Sequence, residues 1–300
     1  MTQPSRFAAW MMAARPKTFA IALAPVFVGT GLAFAVLKTI DPLVFIATAF
    51  LAIAMQAITN MQNDAGYTQR RADRATRKGL PRATSLGLLT VKEVEVAIVI
   101  VSFLAILDTL FLMYRGGPAF IIVTLASIAA AYLYMGGPKP IAYTPFGELT
   151  VLIFFGLVAT CGTYYLQALE VTMQSVALGT ALGCIASNVL CVNNFRDITH
   201  DAEIHRQTLA VTLGAERFLI LFSALQIIPY VILAALAVYD AIFLPSLIVF
   251  LLIGKSYSLC VDIRKLKGND LNRVLFGTVA LEMRFAILLT IGLVIAGFVF

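Results

Sequence analysis

About nine apolar runs of roughly 20 residues each constrain this chain more than any other feature, because that is the length a helix needs to cross a ~30 Å hydrocarbon layer. They fall near residues 19–37, 43–60, 94–114, 119–135, 149–167, 172–190, 217–239, 242–260 and 281–300. Hydrophobic residues make up 60% of the chain and charged residues 13%, against roughly 45–50% and about 25% in soluble domains. The expected fold is all-α: a polytopic membrane bundle of about nine transmembrane helices, with residues 1–300 forming a single domain. Arg6, Arg15 and Lys17 precede a first run that is too long for a cleavable signal peptide and lacks a clear small-residue cleavage site. Cys161, Cys184, Cys191 and Cys260 show no metal-type spacing and read as small packing residues.

With the N-terminus placed in the cytoplasm, one face of the bundle collects nearly all the loop Arg and Lys residues, including Arg70, Arg71, Arg74, Arg77, Lys78, Arg82, Lys139, Arg196 and Arg206, while the other keeps Lys38 and Arg115. This asymmetry predicts a multi-pass protein of the cell inner (cytoplasmic) membrane with its site on the cytoplasmic side. The net charge of +6 then follows from topology and an anionic substrate, and no nucleic acid is called for. One acidic motif follows the second run and another follows the sixth. That spacing predicts two parallel four-helix repeats, roughly 15–135 and 145–260, around a central cavity with the working site at their interface.

In the second motif, Asn194, Asp197 and Asp201 follow one another at helical spacing, so on a helix they share one face. Two carboxylates and an amide oxygen so placed suit Mg2+, which takes hard oxygen donors and keeps positions open for waters and phosphate oxygens. A solvated helix end is the plainer reading of this spacing alone. In the first motif, Asn63 and Asp64 open a loop that carries Asp73 among Arg70, Arg71, Arg74 and Arg77; a loop anchored to lipid headgroups is the plainer reading there. Facing one another, the two clusters would hold a diphosphate through bridging metal ions, with arginines giving bidentate contacts to its outer oxygens.

Further motifs run nearly end to end: Ala14-Arg15-Pro16-Lys17-Thr18, Gly136-Gly137-Pro138-Lys139-Pro140-Ile141, Phe146-Gly147-Glu148, Gly162-Thr163-Tyr164-Tyr165-Leu166-Gln167, Asn193-Asn194-Phe195-Arg196-Asp197 and Arg206-Gln207-Thr208-Leu209-Ala210-Val211. In these the chain resembles the UbiA-type intramembrane aromatic prenyltransferases, and among them the 1,4-dihydroxy-2-naphthoate polyprenyltransferases of menaquinone biosynthesis. The resemblance implies Mg2+-dependent transfer of a prenyl group from a polyprenyl diphosphate to 1,4-dihydroxy-2-naphthoate, with loss of CO2, giving demethylmenaquinone. It implies a metal–diphosphate site of Asn63, Asp64, Asp73, Asn194, Asp197 and Asp201, the four aspartates being catalytic. Arg77, Arg82 and Arg206 become anion contacts, and Lys139 a contact to diphosphate or to the acceptor carboxylate. Arg15 and Lys17 are weaker candidates. The first motif departs from the family's Asn-Asp-x-x-Asp at its second acid, where Tyr67 stands within the expected substrate-binding set; a phenol is a poor Mg2+ ligand at neutral pH.

The partners expected are therefore a polyprenyl diphosphate, an aromatic acid acceptor and membrane lipid. Two other functions fit the same residues less well. A sister prenyltransferase would use 4-hydroxybenzoate or homogentisate. An anion transporter would suit repeated halves and a basic vestibule, but predicts acids near the bilayer midplane rather than at one face. Phe154, Phe155, Tyr164 and Tyr165 fit a prenyl groove on the resemblance alone, since an aromatic stripe in a membrane helix is more often packing. Gly179 and Gly183 form a small-xxx-small step suited to close helix approach.

Overall fold

The computed structural model describes residues 4–72 and 79–300, and no strand occurs among them. In chain order the helices are α1 (Arg6–Ala14), α2 (Phe19–Leu37), α3 (Pro42–Gln69), α4 (Val91–Gly116), α5 (Ala119–Met135), α6 (Gly147–Ala168), α7 (Met173–Arg196), α8 (Ile198–Glu203), α9 (Leu209–Leu213), α10 (Ala215–Tyr239), α11 (Pro245–Lys265) and α12 (Leu271–Val299). Eight helical stretches of the described residues are long and apolar enough to cross a membrane, and α5 is a shorter apolar helix of 17 residues. The chain is a multi-pass membrane protein.

Local chemistry sets the helix ends. Asp41 caps α3, its carboxylate accepting from the Leu43 and Val44 amides at 2.9 and 3.2 Å, with Pro42 at the first helical position where its missing N–H costs nothing. Thr90 and Glu93 close a reciprocal capping box on α4, and Thr172 with Ser175 does the same for α7.

Two helices run further than hydropathy suggests, and both carry site residues. Helix α3 was expected to end near residue 60 but continues to Gln69, and α7 continues past 190 to Arg196. Asn63, Asp64 and Tyr67 therefore stand on a helix, not in a loop. Polar side chains end the hydropathy signal without ending the helix, because tertiary partners satisfy them. Helix α12 likewise begins at Leu271, ten residues before the expected 281.

Helix α7 lies inside the bundle, packed against α6, α10 and α12, while α2 packs along α12 and α6. The approach of α6 to α7 is set by glycine. A Cβ on Gly156 would lie 2.5 Å from both the Gly179 carbonyl oxygen and the Gly183 Cα, so only hydrogen fits there, and the expected small-residue step is a backbone contact. Gly156 belongs to a π-helical segment, Leu152–Val158, in the middle of α6. Phe154 and Phe155 of that segment line a central cavity. Tyr164 and Tyr165 are packing residues instead: Tyr164 is buried with its hydroxyl donating to Glu170 at 3.0 Å, and Tyr165 stacks on Phe120.

Candidate active site

Two cavities meet inside the bundle. The larger, about 580 Å3, is mainly apolar and runs between α2, α3, α5, α6, α7 and α12; the smaller, about 70 Å3, is polar. Arg15, Asn63, Tyr134, Leu190 and Asn193 border both, so a ligand with an ionic head and an oily tail can occupy the two at once.

The second motif builds one wall of the polar cavity. Helix α7 ends at Arg196, Asp197 is its C-cap, and α8 restarts at Ile198. The three residues are thus not on one unbroken helix, yet Asn194, Asp197 and Asp201 all line the cavity. Arg196 holds Asp197 through two bonds, 3.2 Å from Nε and 2.8 Å from Nη2, and donates to Asn272 at 2.7 Å from Nη1. Asp201 accepts from Arg206 Nη1 at 2.7 Å on Oδ1, whereas its buried Oδ2 has no hydrogen-bond partner. Buried carboxylate oxygens without partners are rare and costly, which marks Oδ2 as the atom a cation or a ligand hydroxyl would meet. Asn194 donates through Nδ2 to Glu148 at 2.8 Å, leaving its amide oxygen available. Glu148, a buried acid at the start of α6, is the site residue that sequence reasoning passed over; an acid opening an apolar run was the available signal.

Among the described residues, the opposite wall carries no second acidic cluster. Asn63 and Tyr67 face the polar cavity, one turn apart on α3. Asp64 does not. Fully buried, it accepts from the backbone amides of Ala83 and Thr84 at 2.9 Å each and from the Thr84 hydroxyl at 2.7 Å. One residue is a 100° step around an α-helix, enough to turn this carboxylate from the cavity toward the 83–84 turn, where it acts as an anchor. Tyr67 stands in its family-expected acid position between two guanidinium groups: Arg82 stacks 3.5 Å from its ring centroid and Arg206 lies 5.3 Å away, donating a short hydrogen bond to its hydroxyl. Arg206 also donates to the Ala142 carbonyl, at 3.2 and 3.0 Å. Lys139 is exposed and lines neither cavity, so it is not brought to the site. Asp73 and Arg77 lie outside the described residues.

Burial, partly offset by Arg206, raises the Asp201 carboxyl to about 6. Folded above its unfolded value near ~3.9, this group stabilises the ligand-free protein while protonated. That contribution, at most about 3 kcal/mol for roughly two pH units, is lost as pH rises from about 4 through about 6. Cation binding has the opposite sign, since it needs the ionised form. The stabilisation that Mg2+ with diphosphate gives in a thermal melt is therefore expected to shrink as pH falls below about 6, and Asp201→Asn is expected to flatten that dependence; a wild-type profile level from pH 5 to 8 would refute it.

Among the described residues no three His, Cys, Asp or Glu side chains come together as a metal cage. The donors that do meet are carboxylate and amide oxygens from Asp197, Asp201, Asn194 and Asn63, a set that fits a hard cation retaining waters and phosphate oxygens. A family model described as the UbiA prenyltransferase family matches residues 22–276. The chain belongs to the UbiA prenyltransferase family. Among UbiA relatives, it is 39% identical over 219 residues to the 1,4-dihydroxy-2-naphthoate octaprenyltransferase of Mycobacterium tuberculosis, covering 73% of this chain and 74% of that one. It is 36% identical over 218 residues to the enzyme of the same name from Escherichia coli, covering 71% and 70%. In fold it is similar to a UbiA homolog from Archaeoglobus fulgidus whose structure was solved bound to DMAPP and Mg2+, with a TM-score of 0.69, 17% identity, and 94% of this chain and 99% of that one covered.

Proposed function

We propose that this UbiA-family protein transfers a polyprenyl group from its diphosphate to 1,4-dihydroxy-2-naphthoate, releasing diphosphate and CO2 and forming the demethylated menaquinone in its reduced form. One observation carries the reading: a polar cavity walled by Asn63, Asn194, Asp197 and Asp201 with Arg82, Arg196 and Arg206 opens into an apolar cavity large enough for a prenyl chain and a ring. The names of the relatives at 36–39% identity support the choice of acceptor.

Asp197 and Asp201, with Asn194 and Asn63, would hold Mg2+; bound there, the cation neutralises charge on the leaving diphosphate. Arg82 and Arg206, aligned by Tyr67, hold the outer phosphate oxygens, and Arg196 keeps Asp197 in place. These fixed charges stabilise the diphosphate as the allylic C–O bond breaks. The electron-rich ring then forms the new C–C bond at the allylic carbon, and its carboxylate leaves as CO2. Phe154 and Phe155 line the apolar cavity, where their aromatic faces would tolerate cationic character on the prenyl chain. Asp64 acts at one remove, by pinning the 83–84 turn next to Arg82. Asp73 and Arg77 are retained as further contacts on their place in the family motif.

The whole chain is read as one domain whose repeats, roughly 15–135 and 145–260, bring Asn63 and Asn194 to matching ends of α3 and α7. The Arg and Lys asymmetry supports a cytoplasmic N-terminus and a site at the cytoplasmic face of the inner membrane. The test is an assay of purified protein with Mg2+ and a polyprenyl diphosphate against 1,4-dihydroxy-2-naphthoate, 4-hydroxybenzoate and homogentisate. Prenylated product with stoichiometric CO2 from the naphthoate is expected; no product from any acceptor would overturn the enzyme reading, and preference for a single-ring acceptor would overturn the naphthoate one.

A further inference from the structure

Along α3, Gln56, Asn60, Asn63 and Tyr67 follow at spacings of four, three and four, so one stripe leads from the polar cavity into the apolar one. Gln56 and Asn60 are buried, at 6% exposure each, and both line the apolar cavity. They belong to a closed set of hydrogen bonds whose direction can be worked out from one end. The Ala14 carbonyl can only accept, so the Asn60 atom 2.8 Å away is its amide nitrogen. That nitrogen also reaches the Thr18 hydroxyl at 2.9 Å. Thr18 has a single proton and gives it to the Arg15 carbonyl at 2.9 Å, so toward Asn60 and Gln56 it can only accept. The Gln56 atom 2.9 Å from Thr18 is therefore nitrogen, and its other proton points to the Asn60 oxygen at 3.5 Å. Every donor in the set is used. What is left is the Gln56 carbonyl oxygen, buried and without a partner, on a residue that lines the cavity.

We propose that Gln56 Oε1 is a specificity-determining contact that accepts a hydrogen bond from a phenolic hydroxyl of the aromatic acceptor. The inference rests on the function proposed above and adds the orientation of the ring. Seven residues separate Gln56 from Asn63, about 10 Å along a helix, room for a bicyclic ring between this oxygen and the diphosphate end. Arg15 and Lys17 border the same cavity, giving the acceptor carboxylate a basic edge to face. In 1,4-dihydroxy-2-naphthoate the 1-hydroxyl lies beside the carboxylate and spends its proton there, so the 4-hydroxyl is the donor free to reach Gln56. An acceptor-only atom in an apolar wall also selects against analogues that lack the proton, because they leave it buried and unpaired.

Equilibrium binding to the full-length protein in nanodiscs tests this without turnover, using 4-hydroxy-2-naphthoate, 4-methoxy-2-naphthoate and 2-naphthoate. Wild type is expected to bind the hydroxy compound at least tenfold more tightly than the other two. Gln56→Met is expected to bring that ratio to near one while leaving Kd for the prenyl diphosphate within about twofold. Equal wild-type affinity for all three, or an undiminished preference in Gln56→Met, would overturn the assignment; should the variant not fold, the wild-type comparison decides alone. Failure of wild type to bind any naphthoate while it binds prenyl diphosphate would instead overturn the proposed acceptor, and this contact with it.

Discussion

Asp201→Asn is expected to lower kcat/KM for prenyl transfer by about a thousandfold while leaving the protein folded. The size follows from what the residue does: removing one preorganised group that faces developing charge typically costs 10²–10³ in rate, and here the amide would also remove a carboxylate oxygen proposed as a metal donor. The fold should survive because the asparagine can still accept from Arg206, and Arg206 keeps its bonds to Ala142 and Tyr67. Asp201→Ala would be a poorer probe, since it strips a buried guanidinium of its carboxylate, a change costing about 3–5 kcal/mol. The measurement is steady-state kinetics beside a thermal melt. A folded Asp201→Asn protein with wild-type kcat/KM would remove Asp201 from the catalytic set. Asp64→Asn provides the contrast: its partners are all on the 83–84 turn, so stability is expected to fall first and activity only through it.

The largest structural effect is expected at Gly156. Adding one methyl group there places carbon 2.5 Å from the backbone of α7 at both Gly179 and Gly183. Neither neighbour has a side chain that can rotate aside, so the helices must separate. Their contact carries the cavity wall formed by Phe154 and Phe155. Gly156→Ala should cost about 3 kcal/mol, the upper end of what overpacking usually costs, because the neighbours are backbone, and should show as a lower melting temperature and aggregation in detergent. Gly254→Ala is the matched control, because a Cβ there meets nothing within 4 Å. Equal melting of the two variants would mean that α6 and α7 can slide apart cheaply.

Much of this molecule was legible without coordinates, for identifiable reasons. Membrane spans announce themselves because hydrocarbon tolerates so few residue types, and the runs at 19–37 and 119–135 coincide with α2 and α5 to the residue. The second motif was legible because its spacing survives the break at Asp197. The first was legible only as to region. Whether Asp64 faces a cavity or a turn depends on Thr84, 20 residues on, and helical spacing carries no trace of that partner. The same holds for Glu148, given its role by Asn194 across the bundle, and for Gln56, whose free oxygen is defined by Thr18 and Asn60 acting together. Lys139 shows the reverse failure: a basic residue in a recognisable motif, placed by the chain where neither cavity reaches it.

The shared rim of the two cavities bears on how turnover ends. In the proposed reaction the diphosphate is a multiply charged ion at home in water, whereas the prenylated ring is an oil that belongs among acyl chains. Each compartment suits only one of them, the polar cavity the ion and the apolar cavity the oil. Back-reaction would require both to return to the same five residues, with CO2 as a third partner, so re-encounter is rare and the loss of CO2 sets the direction.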